Sequence, residues 1–542
     1  MAERALLDEV AATRYSLGAG RQGPRRNVAV SALQGKMATS STVMGSRPEH
    51  RGLSYWMERA LKELDHVRTS PDADAVHDLR VALRRCRSVA AVMEEVDPDR
   101  SWREMRKVGR KLFRQLGELR DTQILEDWTK KLGTEQEAVR HRLLSGLEKK
   151  EAELRQAALK VAGKFDQRAW RKLEQTLSRR VRVVPLDGLA AECLALQRYE
   201  AAKELHAQAL RTDKPEHWHM LRIGVKRFRY TVESLLPERY EAWGENLKHV
   251  QDLLGDVHDL DVLSEKVAQE ASSESEEVRA AWAERIHCER HGRLDAYRQL
   301  THGNSNLWQE WRAGLPQGSR LEAAAMARIR STARALIGNA VRAAQVARLA
   351  TRLYDGLRRA HAAPLFAEKH LRKVMRAAAQ IHGIGRRLNP HAPQKAARNF
   401  LRDMAVPPGC EEEEWELLGS VVRYHRGVAP KVKHKSFGRL TPGQQKAVCV
   451  LAGVLRLARA LRKCGVVSAS GLRIEKSVDA LILYVPGLEE TEQTVTRLAA
   501  GKYLLESTLE EPLILKAAPG VLKVVELPKK EEVRPPSAAA SD

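Results

Sequence analysis

Aromatic side chains are scarce in this chain of 542 residues: Phe, Trp and Tyr together make up 5%. Ala, Leu, Arg and Glu dominate instead, a composition that favours helix. Cysteine is also sparse. The six residues Cys86, Cys193, Cys288, Cys410, Cys449 and Cys464 are scattered and form no CxxC pair. This argues against a zinc site or a disulfide framework and points to a reducing cytoplasm. No uninterrupted apolar run reaches the length of a membrane span. The N-terminus lacks the apolar core of a signal peptide. There is no GxSxG, HExxH or Walker loop to carry hydrolase or nucleotide chemistry. Carboxylates are outnumbered: 93 Lys and Arg stand against 70 Asp and Glu, a formal charge of +23 and a pI near 9.8. Such a balance points to a polyanion, whether nucleic acid, polyphosphate or an anionic membrane.

What the chain does have is one basic helical stretch that occurs twice. The first copy is Val76-His-Asp-Leu-Arg-Val-Ala-Leu-Arg-Arg-Cys-Arg87, and the second is Trp218-His-Met-Leu-Arg-Ile-Gly-Val-Lys-Arg-Phe-Arg229. His77, Arg80, Arg84, Arg85 and Arg87 align with His219, Arg222, Lys226, Arg227 and Arg229. At 100° per residue, positions 77, 80, 84 and 87 fall within an arc of roughly 80°. Leu79, Leu83, Cys86 and Ala90 form a separate core face, and Arg85 sits off the stripe. A single stripe of this kind can be a solvated face. Without interleaved acids, however, it gains no i,i+4 support and suffers like-charge repulsion. Building it twice, with His at the same place, suggests that an anionic ligand offsets that cost.

The length fits three or four domains. Residues 1–46 are rich in Gly, Ser, Arg and Ala and read as a poorly structured leader, with Met37 and Met44 as alternative starts. Helical periodicity begins near Arg47. Ser70-Pro-Asp-Ala-Asp74 predicts the start of the first basic helix, with Ser70 as cap, Pro71 in the first turn, and Asp72 and Asp74 at the positive end of the dipole. Asp97-Pro98 ends that helix. A third helix is expected over about 101–116, followed by Leu116-Gly-Glu-Leu-Arg-Asp-Thr-Gln-Ile-Leu125. The same order returns. Asp213-Lys-Pro215 opens the second basic helix, Pro237 closes it, and Leu254-Gly-Asp-Val-His-Asp-Leu-Asp-Val-Leu263 matches 116–125, with Asp121 on Asp259. This is an internal duplication of roughly 140 residues. The Leu-Gly-x-x-x-Asp pattern reads as a helix-to-helix corner, Gly at the turn and Asp capping the next helix. Its Asp would also orient a neighbouring Arg.

These four blocks, in this order over about 50–305, resemble the CHAD family, the conserved-histidine α-helical domain. The resemblance implies two four-helix bundles related by pseudo-twofold symmetry, a basic central groove, and binding of inorganic polyphosphate, with polyphosphate granules as a site in the cytoplasm. It carries a chelating role over to His77, Arg80, Arg84, Arg85, Arg87, Arg114, His219, Arg222, Lys226, Arg227 and Arg229. Lys107, Arg110 and Lys248 complete the expected set. Arg114 aligns with Asp252 and Arg120 with His258, so the halves would not contact ligand equally. The physical argument runs alongside. Arg binds phosphate through paired N–H donors, and ten helical residues extend roughly 15 Å, long enough to span several phosphates. Phe228 and Tyr230 alone would be a thin stacking platform for bases.

Farther on, Arg376-Ala-Ala-Ala-Gln-Ile-His-Gly-Ile-Gly-Arg-Arg387, Val421-Val-Arg-Tyr-His-Arg426, Pro430-Lys-Val-Lys-His-Lys-Ser-Phe437 and Leu451–Leu461 resemble the C-terminal HD-like helical domain of the exopolyphosphatase and guanosine pentaphosphate phosphatase (Ppx/GppA) family. The resemblance covers about 325–515, and it includes a small α+β unit with strands near 472–475, 480–485 and 512–516. The sugar-kinase-like catalytic domains of that family are absent from this sequence. An active HD site holds a divalent metal with a His, a His-Asp pair and a later Asp. Those positions here are Arg342, His382-Gly383 and Arg459, so no catalytic residue, no metal and no cofactor is expected. His382 reads as a buried helix-end His. A second phosphate-binding surface is expected from Arg423, His425, Arg426 and Lys431, with Arg342, Arg386, Arg387, Lys433, Lys435 and Arg459. The Lys431–Lys435 run reads equally well as a solvated loop. Glu411–Glu414 reads as the acidic first turn of a helix.

The expected architecture is therefore mainly α: two pseudo-symmetric four-helix bundles, then an HD-like helical domain with a small α+β subdomain. The boundaries are a leader at 1–46, the CHAD region at 47–305 (repeats about 47–185 and 195–305), a linker at 306–320, the HD-like domain at 321–470, the α+β unit at 471–516 and a disordered tail at 517–542. The expected function is non-catalytic polyphosphate binding as an anchor or sensor. The expected partners are inorganic polyphosphate and a polyphosphate-metabolising enzyme. Nucleic acid enters only as a non-specific competitor, and no membrane is involved. Three rivals stay open: phosphoanhydride hydrolysis by the C-terminal domain, a binder of nucleic-acid backbone, and a regulatory partner of a separate phosphatase or kinase.

Overall fold

The computed structural model describes residues 52–69, 73–97, 99–183, 188–489 and 491–518. The leader at 1–46, the tail from 519, the helix start at Ser70, Pro71 and Asp72, and Pro98 lie outside the described residues. The first repeat consists of α1 (Leu53–Thr69), α2 (Ala73–Val96), α3 (Arg100–Val108), α4 (Arg110–Leu132), α5 (Ala138–Gly163) and α6 (Gln167–Val183). The second consists of α7 (Gly188–Thr212), α8 (Pro215–Leu235), α9 (Pro237–Glu270) and α10 (Glu276–Thr301), followed by the short α11 (Leu307–Ala313). The basic stretches are α2 and α8. The core face expected for α2 is buried: Leu79, Leu83, Cys86 and Ala90 pack with Met57, Trp102 and Trp170. On α8, Leu221, Val225, Phe228 and Val232 pack with Trp308 and Trp311.

The repeats share a fastening device. Asp97, buried, accepts the indole N–H of Trp102 at 2.8 Å and a guanidinium N–H of Arg180 at 2.6 Å. Asp213 accepts the indole N–H of Trp218 at 2.7 Å. In both cases an Asp bonds a buried Trp five residues on, so the turn into a helix is tied to a core anchor.

The Leu-Gly-x-x-x-Asp blocks are not corners. Residues 116–125 lie inside α4 and 254–263 inside α9. An internal Gly costs about 1 kcal/mol relative to Ala, and the leucines around it offset that by burial: Leu116, Leu119, Leu253 and Leu254 are all in cores. The break expected near residue 116 comes instead at Gly109, between α3 and α4. The second repeat has no such break, and α9 runs unbroken for 34 residues. The far ends of the long helices form a separate small core that joins the repeats: Leu125, Trp128, Leu132 and Leu143 meet Leu260, Leu263, Trp282 and Ile286.

The segment expected to be a linker is part of the second core. Asn306 caps α11 by accepting the Gln309 N–H at 3.1 Å, and Trp308 and Trp311 are fully buried. Gly314 lies against the Trp243 ring, with no room for a side chain.

The C-terminal part is built from α12 (Ser319–Leu336), α13 (Ala340–Arg359), a 3₁₀ turn (Pro364–Ala367), α14 (Lys369–Ile381), α15 (Gly385–Leu388), α16 (Pro393–Asp403), α17 (Glu412–Tyr424) and α18 (Pro442–Lys463). α12 and α13 are separated by a break at Ile337–Asn339, where the Asn339 side chain accepts the Arg342 N–H at 2.9 Å and starts α13. The acidic run does begin a helix: the Glu414 carboxylate accepts the Glu411 N–H at 3.2 Å in a capping box. The closing unit is β1 (Arg473–Lys476), β2 (Leu481–Pro486), α19 (Glu492–Leu509) and β3 (Leu513–Ala518). β1 pairs antiparallel with β2 and β3 pairs parallel with β2, so α19 is the crossover. The sheet shares one core with the helices, where Leu481, Leu483 and Leu505 join Leu451, Leu455 and Ala458.

Two seams bind these parts. Arg198 of α7 pairs with Glu95 of α2 across the repeats. Arg328 of α12, buried, donates to the Glu95 carbonyl at 2.6 Å, while Arg320 pairs with Glu192 at 2.7 Å. Among the described residues no helix is long and apolar enough to cross a membrane.

If α11 is core and not linker, Trp311→Ala should cost about 3–5 kcal/mol, as expected for a buried Trp truncated to Ala. The exposed neighbour change Gln309→Ala should stay within about 0.5 kcal/mol. Urea denaturation of the full chain followed by circular dichroism separates the two.

Candidate functional sites: a basic strip between the repeats and a basic cavity

The faces of α2 and α8 that carry the stripes meet each other. Arg80 and Arg84 of α2 lie in the field of Lys226 and Arg222 of α8. The two aligned aspartates sit in the same cluster. Asp121 of α4 faces Arg80, Arg222 and Lys226, and Asp259 of α9 faces Arg222, Asp121 and Arg120. The pairs Arg80/Arg222, Arg84/Lys226 and Asp121/Asp259, aligned in the sequence duplication, thus meet in one cluster. Helical spacing explains it: within α4, Gly117 and Asp121 are four residues apart on one face, as are Gly255 and Asp259 within α9. A Cβ added at Gly117 or Gly255 would meet no atom within 4 Å, so the wall is open at both glycines.

The electrostatics are those of crowded like charge. Burial pushes the Lys226 ammonium down to about 8, and Arg222, Arg84 and Arg80 push in the same direction. Burial and then Arg84 lower Arg80, against the pull of Asp121, and its Nε is buried without a hydrogen-bond partner. Burial raises Asp259 to about 6, with Asp121 adding to the shift. Beside them His219 and His258 approach Nδ1 to Nδ1 at 3.3 Å. Burial, then Arg222 and His219, push His258 down to about 4.

In the C-terminal part a cavity of about 390 Å³ is lined from four directions. The break between α12 and α13 contributes Asn339 and Arg342. The end of α14 and α15 contribute His382, Arg386 and Arg387. His425 and Arg426 follow α17, and α18 contributes Arg459, Arg462 and Lys463. Among the described residues no carboxylate lines it. The side chains of Arg342, Arg386, Arg426 and Lys463 have no hydrogen-bond or ion-pair partner among the described residues. Arg459 donates to the His425 carbonyl at 3.0 Å, and burial, then Arg426 and Arg386, push it down to about 10. Both imidazoles are buried. The Nδ1–H of His382 donates to the Ala379 carbonyl at 2.8 Å and that of His425 to the Val422 carbonyl at 2.6 Å. Burial holds His382 down at about 4 and His425 well below its ordinary value, with Arg459 acting on both. Gly385 is required here, because any side chain would run into the Pro393 carbonyl.

Residues 54–268 match the family model of the CHAD domain. The chain carries a CHAD domain. Residues 326–481 match the model of Ppx/GppA phosphatase, domain III, so this second domain is also present. Among solved structures, the crystal structure of the CHAD domain from the plant Ricinus communis is 22% identical, with a TM-score of 0.33, covering 48% of this chain and 88% of that one. No curated protein matches the chain.

Within the CHAD domain the expected ligand residues separate into three groups. Arg80, Arg84, Arg222 and Lys226 come together, with His219 adjoining through His258. His77, Lys107, Arg110, Arg114, Arg227 and Lys248 are exposed, and Arg110 lies beside Arg87. The rest are held by the protein. Arg85 pairs with Glu233 of α8 and lies 5.5 Å from the Trp56 ring. Arg87 donates to the Arg106 carbonyl at 2.8 Å over the Phe113 ring. Arg229 is buried, donating to Gln251 at 3.1 Å and Tyr240 at 3.3 Å. Phe228 is in the core and offers no stacking face. Arg120 and His258 belong to the cluster but were not among the expected ligands. Their alignment as partners within the duplicated motif was the signal.

In the Ppx/GppA domain, His425 and Arg426 line the cavity with Arg342, Arg386, Arg387 and Arg459, but Arg423 and Lys431 do not. Arg423 leaves α17 on another side and lies over the Tyr424 ring at 5.2 Å, while Lys431, Lys433 and Lys435 are exposed on the following loop. Arg462 and Lys463 were missed. They stand three and four residues after Arg459, on the same helical face. His382 is buried at a helix end, as expected. The positions that the HD resemblance assigns to a metal hold Arg342, His382-Gly383 and Arg459, a donor set that does not fit a divalent cation.

Buried neutral histidines make stability depend on pH. His206, His258 and His382 have folded values near 4 against 6.5 unfolded, so the unfolded chain binds more protons between those limits. Stability is then fully present above pH 6.5 and falls as pH drops toward 4. Asp259, raised, acts in the opposite sense between 3.8 and 6. The buried His206 and His382 should each contribute a loss of about 2 kcal/mol by pH 5. Thermal melts at pH 7.5 and 5 should show a clear drop at the lower pH, and an unchanged midpoint would contradict the buried neutral assignment.

Proposed function

We propose that the protein binds inorganic polyphosphate without turning it over, and acts as an anchor or sensor for that polymer. The observation that carries the reading is the gathering of Arg80, Arg84, Arg222 and Lys226 from two repeats into one strip that two aspartates do not neutralise. A linear polyanion fits such a strip because it presents oxygens at every unit, and guanidinium forks bind them in pairs. Asp121 and Asp259 then orient the arginines, as a carboxylate behind a guanidinium does. The open helical wall at Gly117 and Gly255 lets a chain lie close to the backbone.

Nucleic acid is less suited to the strip. Unpaired bases bind by stacking, and the buried Phe228 cannot supply that. The non-catalytic part of the reading is supported by the HD positions, where Arg342 and Arg459 stand in place of ligand side chains.

Binding of long-chain polyphosphate should be tight at low salt and should fall steeply with salt, through counterion release. It should resist RNA at equal phosphate concentration. Arg80→Glu/Arg222→Glu should weaken it at least a hundredfold. Equal competition by RNA, or wild-type affinity in the double variant, would refute the assignment. Phosphate release on addition of Mn or Mg would refute the absence of turnover.

The glycines give a second test. Gly117→Ala should stabilise α4 by about 0.5–1 kcal/mol through helix propensity alone. Gly117→Trp should fold and yet lose polyphosphate affinity by tenfold or more, because its ring would occupy the open wall. Retained affinity in the Trp variant would remove the glycine from the binding face.

A further inference from the structure

One face of α10 differs in chemistry from both cationic clusters. It carries Glu284, His287, Cys288 and His291, the last three standing three, four and seven residues after the first. Helical geometry puts residues at those spacings on a single face. The opposite face is the buried one, with Trp282, Ile286 and Leu294 in the cores. Glu284, His287 and Cys288 are exposed, and His291 is half-buried. The two imidazole rings lie 4.2 Å apart between centroids, and the Cys288 thiol donates to the Glu284 carboxylate at 3.3 Å.

The chain carries a formal charge of +23, yet the arginines of these same turns are drawn away from this face. Arg285 donates to Glu137 at 2.7 Å, Arg290 to Asp261 at 2.7 Å and Arg293 to Asp256 at 2.8 Å. Glu289 pairs with Lys131 of α4 at 3.0 Å. What remains pointing outward is one carboxylate, two imidazoles and one thiol. An ordinary solvated helix face mixes Lys and Glu in i,i+4 pairs. These residue types are metal donors instead.

Two histidines at i and i+4 on one helix face form a chelating pair. Cys288 stands between them, next to the first and three residues before the second, so three donors surround one region of the helix surface. Among the described residues no three His, Cys, Asp or Glu side chains are already gathered around one metal position. The set closes when the thiol turns from Glu284 towards the rings, a side-chain rotation open to an exposed residue. The lack of a CxxC pair excludes a zinc site built on paired cysteines. It does not exclude one in which a single thiolate joins two imidazoles.

We propose that His287, Cys288 and His291 bind a zinc ion on the outer face of α10, with Glu284 receiving the thiol proton and the fourth position open to water. Three protein ligands of nitrogen and sulfur with one open position are a set that zinc accepts in tetrahedral geometry. Thiolate and imidazole disfavour magnesium and calcium, which prefer oxygen. The step is a ligand exchange without redox change. A sulfur electron pair binds the metal, the S–H bond breaks, and its proton passes through the Glu284 carboxylate to solvent. The Glu284 hydrogen bond holds the Cys288 thiol above its ordinary value, so the metal displaces a proton when it binds at neutral pH. The site is independent of the polyphosphate reading.

Cobalt is the probe, because zinc is spectroscopically silent and four-coordinate cobalt is not. The untagged full chain, reduced and stripped of metal with a chelator, should bind one equivalent of cobalt. A sulfur-to-cobalt charge-transfer band in the near ultraviolet should appear, with release of about one proton per metal. Zinc at equal concentration should displace the cobalt, and magnesium in large excess should not. His287→Ala/His291→Ala should weaken cobalt binding at least tenfold, and Ala at these solvent-face positions keeps the helix intact. Cys288→Ser should abolish the charge-transfer band, whereas Cys464→Ser should leave it unchanged. Absence of saturable binding, a wild-type spectrum without the sulfur band, or a band that persists in Cys288→Ser would overturn the proposal. Full affinity in the double-histidine variant would also overturn it, by moving the metal to other histidines of the chain. Failure of zinc to displace cobalt would overturn zinc as the occupant.

Discussion

Repulsion between cations held side by side is the constraint around which this protein is built. Arg80, Arg84, Arg222 and Lys226 would separate if their helices were free to move. They stay together because the opposite faces of those helices are clamped in two cores, one around Trp102 and Trp170 and the other around Trp218, Trp308 and Trp311. The apolar contribution of each buried Leu or Trp side chain exceeds the weak repulsion of partly hydrated charges. The same division of labour holds in the C-terminal domain. Leu451, Val454, Leu455 and Ala458 fix α18 in the core, and Arg459 is thereby presented to a cavity it would otherwise avoid.

The arginines do different work according to the partner each finds. Those with a carboxylate or carbonyl from another segment are structural. Arg85 ties α2 to α8 through Glu233, Arg180 secures Asp97, and Arg328 pins the C-terminal domain to the end of α2. Those crowded by other cations in excess of the nearby carboxylates, as Arg80, Arg84, Arg222 and Lys226 are around Asp121 and Asp259, are the ones available to a ligand. Guanidinium suits both roles, being always charged and able to donate in several directions at once. Counting basic residues along a stripe therefore overstates the binding surface. The stripe that reads as five ligands on α8 presents Arg222 and Lys226 to the strip, places His219 beside them, leaves Arg227 exposed at the edge, and buries Arg229 against Tyr240.

The two domains also show how a helical scaffold can hold two clusters of cations of different character. The strip lies where two repeats face each other, long and open at its glycine positions, and it mixes carboxylates with its cations. The cavity is compact, has no acid on its wall, and adds neutral imidazoles. Arg387 links the two regions, since it lines the cavity and lies 3.8 Å from Asp99 at the start of α3. Glu95, which receives both Arg198 and Arg328, is another point where the repeats and the C-terminal domain meet.

Much of this was legible in the chain itself. The helical class, the duplication, the core face of α2 and the basic stripes follow from residue type and spacing, because helical periodicity converts position directly into direction, while the α+β ending and the loss of HD ligand types are what the resemblance to the Ppx/GppA family implies. What spacing could not convey was the third dimension. Whether Leu-Gly-x-x-x-Asp turns or continues depends on the burial of leucines on either side, and burial decided for a continuous helix. Whether residues 306–320 link or pack depends on a pocket for Trp308 and Trp311 that another segment provides. Whether the chain breaks at Gly338-Asn339 between α12 and α13 depends on what packs beyond it, and that break makes one wall of the cavity. Above all, sequence marked which residues carry charge. Only the fold decided which of those charges meet a partner and which are left facing one another, since a guanidinium's role is set by the groups that other segments bring within a few ångströms of it.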